Sequence, residues 1–109
     1  MADRIDDLGR YSGPATLILS SLADGPKHGY ALMQDIEAFA GVTLGPGTLY
    51  GALTRLEAME LIEAMASEGR RRPYRITPMG AGALEAQLTA QRQVADVGLR
   101  RLSAAGVPA

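Results

Sequence analysis

Three stretches of helical period are followed by one of strand period, with glycine or proline at every boundary. That order narrows the folds open to this chain more than any other feature. Pro14 suits a first helical turn with Ser12 or Gly13 as cap, and Leu17, Ile18 and Leu22 give one buried stripe. "ADGPKHG" ends that helix. Leu32, Met33, Ile36, Phe39 and Ala40 then recur at i, i+1, i+4, i+7 and i+8, which predicts a second amphipathic helix stopped by Gly41. Gly45 and Pro46 cap and open a third, whose Leu49, Leu53 and Leu56 fall within about 60° of one another. From residue 62 the period changes. Ile62, Ala64 and Ala66 alternate with other partners, as do Tyr74 and Ile76, and "SEGRRRP" lies between them. This predicts a two-stranded hairpin with a basic tip. Thr77 and Pro78 cap and open a last helix running to about residue 104.

The expected fold is therefore mainly α with a small β-hairpin: a winged helix-turn-helix followed by a C-terminal helix. Residues 1–77 would hold a polar N-terminal arm, helical over 3–12, and the winged-helix domain. Residues 78–104 would form a dimerisation helix, and 105–109 a flexible tail, with fraying expected from Ser103 onward. A length of 109 residues allows one domain with a modest core, and 47% apolar residues suffice to build it. With 11 basic and 12 acidic side chains, no global charge argues for a polyanion, so only local clustering can. The absence of cysteine excludes disulfides and thiolate metal sites and fits a reducing cytoplasm. "MADRIDDLGR" is too polar for a signal peptide, and the apolar run around "TLILSSLA" is too short for a bilayer.

The third helix has an unusual outer face. Gly47, Gly51, Thr54 and Ala58 lie opposite its leucines, flanked by Thr48, Tyr50 and Arg55. Gly51 inside a helix costs roughly 1 kcal/mol relative to alanine. Close approach of a partner would offset that cost. A major groove about 12 Å wide admits a helix whose flank is small, and hydroxyls with one arginine can then reach phosphates or base edges. The second reading of this face is packing against a protein helix, as in a winged-helix interaction module that binds no DNA.

The hairpin tip weighs between the two. Arg70, Arg71 and Arg72 are consecutive, Arg75 follows, and no acidic residue occurs from Gly69 through Ala83. Guanidinium groups on a projecting hairpin can lie along phosphates. Beside a small-faced helix, this favours DNA. Lys27, in the turn before the second helix, is a further basic candidate.

Other chemistry finds no support. His28 is the single histidine and has no evident orienting partner; starting the second helix is its expected role. Glu57, Glu60 and Glu63 read as solvated charges at a helix end. "GPGTLYG" lacks the Lys-Ser/Thr ending of a phosphate-binding loop. No enzyme, cofactor or metal is expected. In the last helix, Leu84, Leu88, Ala95, Leu99 and Leu102 form a stripe interrupted by Gln91 and Gly98. So small a domain offers this stripe little cover, and the natural cover is the same helix of a second subunit.

Three segments, "GPKHGYALMQDIE", "LGPGTLYGALTRLEAMELIEA" and "RRRPYRITPMGAGAL", together resemble the PadR family of bacterial transcriptional regulators. The match spans roughly residues 13 to 85 and looks like the small subclass with one C-terminal helix. The resemblance implies a homodimer that binds a pseudo-palindromic operator, usually as a repressor. It implies that Thr48, Tyr50, Gly51 and Thr54 meet DNA, that Tyr30 lies near its backbone, and that Arg70 to Arg72 form the wing. Family members often sense small apolar or aromatic molecules between subunits, so such an effector is a candidate partner. One departure stands out: Glu60 occupies a position where the family commonly has glycine. A left-handed turn there would cost a glutamate about 1 kcal/mol or more.

Overall fold

The computed structural model describes residues 13–106. The arm expected over residues 3–12 and most of the expected tail lie outside that range. The order is α1 (Gly13–Leu22), α2 (Gly29–Ala40), α3 (Pro46–Ala58), β1 (Ile62–Ala64), β2 (Tyr74–Ile76) and α4 (Pro78–Ala104). It is the winged helix-turn-helix with a C-terminal helix that the sequence order predicts.

Local chemistry sets the boundaries. The Ala31 amide donates to His28 Nδ1 at 3.4 Å, so His28 caps α2. Gly41 closes α2 at φ 67°, its amide donating to the Glu37 carbonyl. Gly45 precedes α3 in extended conformation and Pro46 occupies the first turn. At α4, the Gly80 amide donates to Thr77 Oγ1 at 3.0 Å.

Leu17, Ile18, Leu19 and Leu22 of α1 meet Leu32 and Ile36 of α2 and Leu49, Ala52, Leu53 and Leu56 of α3. Ile62 and Leu84 close this core from the hairpin and α4. The expected stripe of α2 is only partly used. Phe39 is 51% exposed and Ala40 is exposed, because the last turn of α2 runs to the rim of the core. There Ala40 borders an open groove with Pro14, Leu17, Val42 and Leu44. Among the described residues, one buried polar side chain belongs to the core layer: Ser21 donates to Asp35 Oδ2 at 2.6 Å and ties α1 to α2.

The strands are antiparallel, with Ile62 opposite Ile76, Glu63 opposite Arg75 and Ala64 opposite Tyr74. Strand β1 ends at Ala64, short of the expected Ala66, though the Met65 amide still donates to the Pro73 carbonyl at 2.8 Å. The other edge of β2 is covered by Lys27: its amide donates to the Tyr74 carbonyl at 3.1 Å, and the Tyr74 amide donates to the Lys27 carbonyl at 2.9 Å. The turn between α1 and α2 thus anchors the hairpin.

The join between α3, β1 and α4 is close. Glu60 has φ 62°. The Leu61 amide donates to the Leu56 carbonyl and the Glu60 amide to the Glu57 carbonyl, both at 3.0 Å. Those two bonds are the Schellman pattern, with a glutamate in the left-handed position. The helix ends as a glycine would end it. Thr77 Oγ1 donates to the Glu60 carbonyl at 2.7 Å, and the Thr77 amide to the Leu61 carbonyl at 3.1 Å. Gly80 presses on the same Leu61 carbonyl, so closely that a Cβ would overlap its oxygen.

Candidate nucleic-acid interface

On α3 the leucines face the core and the small residues face out. Gly47, Thr48, Tyr50, Thr54, Arg55 and Ala58 are exposed, and Gly51 is half-buried. A Cβ at Gly47 would meet nothing within 4 Å, and one at Gly51 only Arg55 Nη1 at 3.8 Å. Among the described residues, the flank is therefore open to an approaching surface. Thr54 Oγ1 donates to the Tyr50 carbonyl at 2.9 Å. That bond spends its proton within the helix, so the side chain presents a methyl group and oxygen lone pairs outward. The Arg55 guanidinium lies in the last turn, where the helix dipole favours a cation.

The wing turns on Glu68 and Arg71, whose backbones bond each other in both directions at 2.7 and 3.1 Å. Gly69 takes φ 66° and Arg70 does not have positive φ. This is the pattern of a two-residue type II′ loop, which needs glycine first. It places Arg70 at the tip, with Arg71 and Arg72 on the returning side, all exposed. Among the described residues, ion pairs engage Lys27 and Arg75 but none of these three arginines. Arg75 is spent on Glu63, its cross-strand partner.

Lys27 differs from the other basic candidates. Its ammonium donates to the Ser21 carbonyl and to Asp24, and lies 3.9 Å from Asp35. The lysine side chain is only 18% exposed. The same ammonium, by hydrogen bond first and by charge second, holds the Asp24 carboxyl below its usual range. Its donors are thus turned toward its own chain, joining α1 to α2. Tyr30, by contrast, is 61% exposed near the start of α2.

Sequence reasoning passed over two residues beside this face. Gly29 is buried, and the space a Cβ would need is occupied by Tyr50, its hydroxyl nearest and its Cζ at 2.9 Å. Tyr74 lies half-buried against the core. Burial pushes its phenol above the ordinary value, Glu57 and Tyr50 add to this, and Arg72 opposes it. A glycine directly after a helix cap was the one sequence signal for Gly29.

Of the expected interface residues on α4, Leu84 is spent within its own chain, at 7% exposure in the core. Helical spacing continues its line outward, and there Leu88, Ala95, Leu99 and Leu102 are exposed. Among the described residues, the face that docks on the core therefore continues along α4 with these four side chains exposed and Gln91 and Val97 half-buried. No helix among the described residues is long and apolar enough to cross a membrane.

The model of the transcriptional regulator PadR-like family matches residues 18–86. A transcriptional regulator of Mycobacterium tuberculosis, Rv3488, is 42% identical over 81 residues, covering 72% of this chain and 75% of its own. An uncharacterized 37.1 kDa protein of transposon TN4556 from Streptomyces fradiae is 54% identical over 69 residues. That match takes in 63% of this chain but only 20% of the transposon protein, so the chain spans about a fifth of that relative's length. Among solved structures, a regulator of the same family from Eggerthella lenta shares 31% identity at a TM-score of 0.74, covering 93% of this chain and 89% of the other.

Proposed function

Because the chain belongs to the PadR-like family of transcriptional regulators, a family of regulators rather than enzymes, we propose that it works by binding double-stranded DNA as a homodimer in the cytoplasm. Each protomer inserts the small flank of α3 into a major groove. Gly47 and Gly51 let the backbone come close, while Thr48, Tyr50, Thr54 and Arg55 reach phosphates and base edges. Arg70, Arg71 and Arg72 lie on the neighbouring backbone. The bare line of Leu88, Ala95, Leu99 and Leu102 packs on its copy, so the operator is pseudo-palindromic. The protein acts as a repressor, and a small apolar or aromatic molecule held between the subunits releases it.

The observation that carries this reading is the pairing of an open, small-residue helix flank with a hairpin tip of three exposed arginines. A duplex supplies both the slot and the negative charge; a protein helix would supply only the slot. Site selection from random duplex with the purified protein tests it. The expected result is two related half-sites about one helical turn apart, near 34 Å. Replacing Arg70, Arg71 and Arg72 by alanine should then weaken binding on all sequences alike. The salt slope should flatten by about 0.9 for each phosphate that is no longer neutralised. Unchanged affinity at fixed salt would remove the wing from the interface. If no duplex is enriched, the same flank docks on a partner protein instead.

A further inference from the structure

Gly29 and Tyr50 meet where α2 begins, and the contact is tight enough to leave room for hydrogen only. A Cβ on Gly29 would collide with the Tyr50 hydroxyl, the nearest atom, and would lie 2.9 Å from Cζ and 3.3 Å from Cε1. Tyr50 lies on the open flank of α3, four residues before Thr54, whose hydroxyl bonds the Tyr50 carbonyl. Gly29 lies two residues after Lys27, whose backbone pairs with Tyr74 at the base of the wing. One ring thus touches the start of α2 from the recognition helix, beside the strand that leads out of the wing.

Not every glycine here tolerates enlargement alike. At Gly80 the obstacle is the backbone carbonyl of Leu61, which cannot step aside. At Gly29 the obstacle is the far end of a side chain that is 50% exposed and can swing out. An alanine at Gly29 would therefore leave the fold in place and tip the Tyr50 ring away from α2, across the flank that must stay shallow. A tilted ring there would hold a duplex off Gly47 and Gly51.

We propose that Gly29 is a positioning residue for recognition: it provides the notch that seats the Tyr50 ring and keeps the face of α3 low enough to enter a groove. This rests on the DNA-binding reading above. Tyr50 then serves recognition as much by where its ring is stowed as by what its hydroxyl touches.

The test uses the full chain and the duplex recovered by site selection. In the wild type, NMR cross-relaxation between the Tyr50 ring protons and the Gly29 α-protons reports the seated ring. Gly29→Ala should melt within a few degrees of the wild type, show no cross-peak between the ring and residue 29, and bind the duplex at least tenfold more weakly at fixed salt. On a Tyr50→Ala background, the same Gly29→Ala change should alter affinity less than twofold, because no ring is left to displace. An equal loss on both backgrounds, or no loss on either, overturns the proposal while leaving DNA binding intact. A Gly29→Ala protein that no longer folds also overturns it, since the ring must be able to yield. If the wild type selects no duplex, the functional reading fails and this inference falls with it.

Discussion

Glu60 holds a left-handed backbone angle that costs an L-residue roughly 1 kcal/mol or more, yet α3 ends there in a complete two-bond cap. Leu61 beyond it packs against the core and pins the turn, so the surroundings hold the strain in place. Glu60→Gly should stabilise the protein by about 0.5–1 kcal/mol in urea unfolding, the relief of strain being partly offset by a more flexible unfolded chain. Tyr74 makes a second prediction at this scale. Its folded pKa lies above the unfolded one, so its contribution is fully present below about pH 10 and is lost as the pH rises through the raised value. The stability difference between wild type and Tyr74→Phe should be flat below about pH 10 and shift against the wild type above it; a difference that stays level through alkaline unfolding would contradict this.

At the scale of elements, the stops were easier to read than the faces. Gly41, Gly45-Pro46 and Thr77-Pro78 mark helix ends through local backbone chemistry that a few neighbours decide, and the structure places them as expected. The inward Leu49, Leu53 and Leu56 were legible for the same reason, since a 3.6-residue period is a local property. What depends on a distant partner was not legible. Phe39 has the spacing of a core residue, yet it stays half exposed at the end of its helix among the described residues. Ser21 carries no sequence signal for burial, because its partner Asp35 comes from α2, fourteen residues on, to accept its proton. Lys27 looked like a free charge, yet Asp24, Asp35 and the Ser21 carbonyl surround it. The small flank of α3 and the arginine tip were visible because composition alone sets them apart; the Gly29 notch was not, because Tyr50 fills it from another helix. The hydroxyl of Thr77 serves two elements, accepting from Gly80 and donating to Glu60. Thr77→Ala should cost about 1–2 kcal/mol, more than an ordinary cap, because it also orphans the Glu60 carbonyl. Thr77→Ser should recover most of that loss in the same thermal melt.

For the whole molecule, the decisive fact is how little of α4 is buried among the described residues. The helix has 27 residues, about 40 Å of length, and its last buried side chain is Leu84. The radius of gyration is 15.9 Å, where a compact chain of this size would have about 13 Å. Three leucines beyond that point are each 40–52% exposed, and burying such side chains is worth about 1.5–3 kcal/mol apiece when complete. Replacing Leu99 and Leu102 together by aspartate should convert a dimer to monomer in sedimentation, with the winged-helix body still folded by circular dichroism. The same variant should bind a single half-site but lose affinity for the full operator. A variant that remains dimeric would place the subunit contact elsewhere.

The junction at Leu61 carries a mechanical consequence. Its carbonyl takes the Thr77 amide and bears on Gly80, while Thr77 holds the carbonyl of Glu60. The root of the long helix is thus pinned to the end of α3, and the helix is a lever fixed to the element with the small flank. Two such levers crossed in a pair would fix the span and phase between their heads with no slack to absorb error. One added base pair between half-sites, a rotation of roughly 34° and an advance of about 3.4 Å, could then be met only by twisting the duplex or by sliding lever against lever.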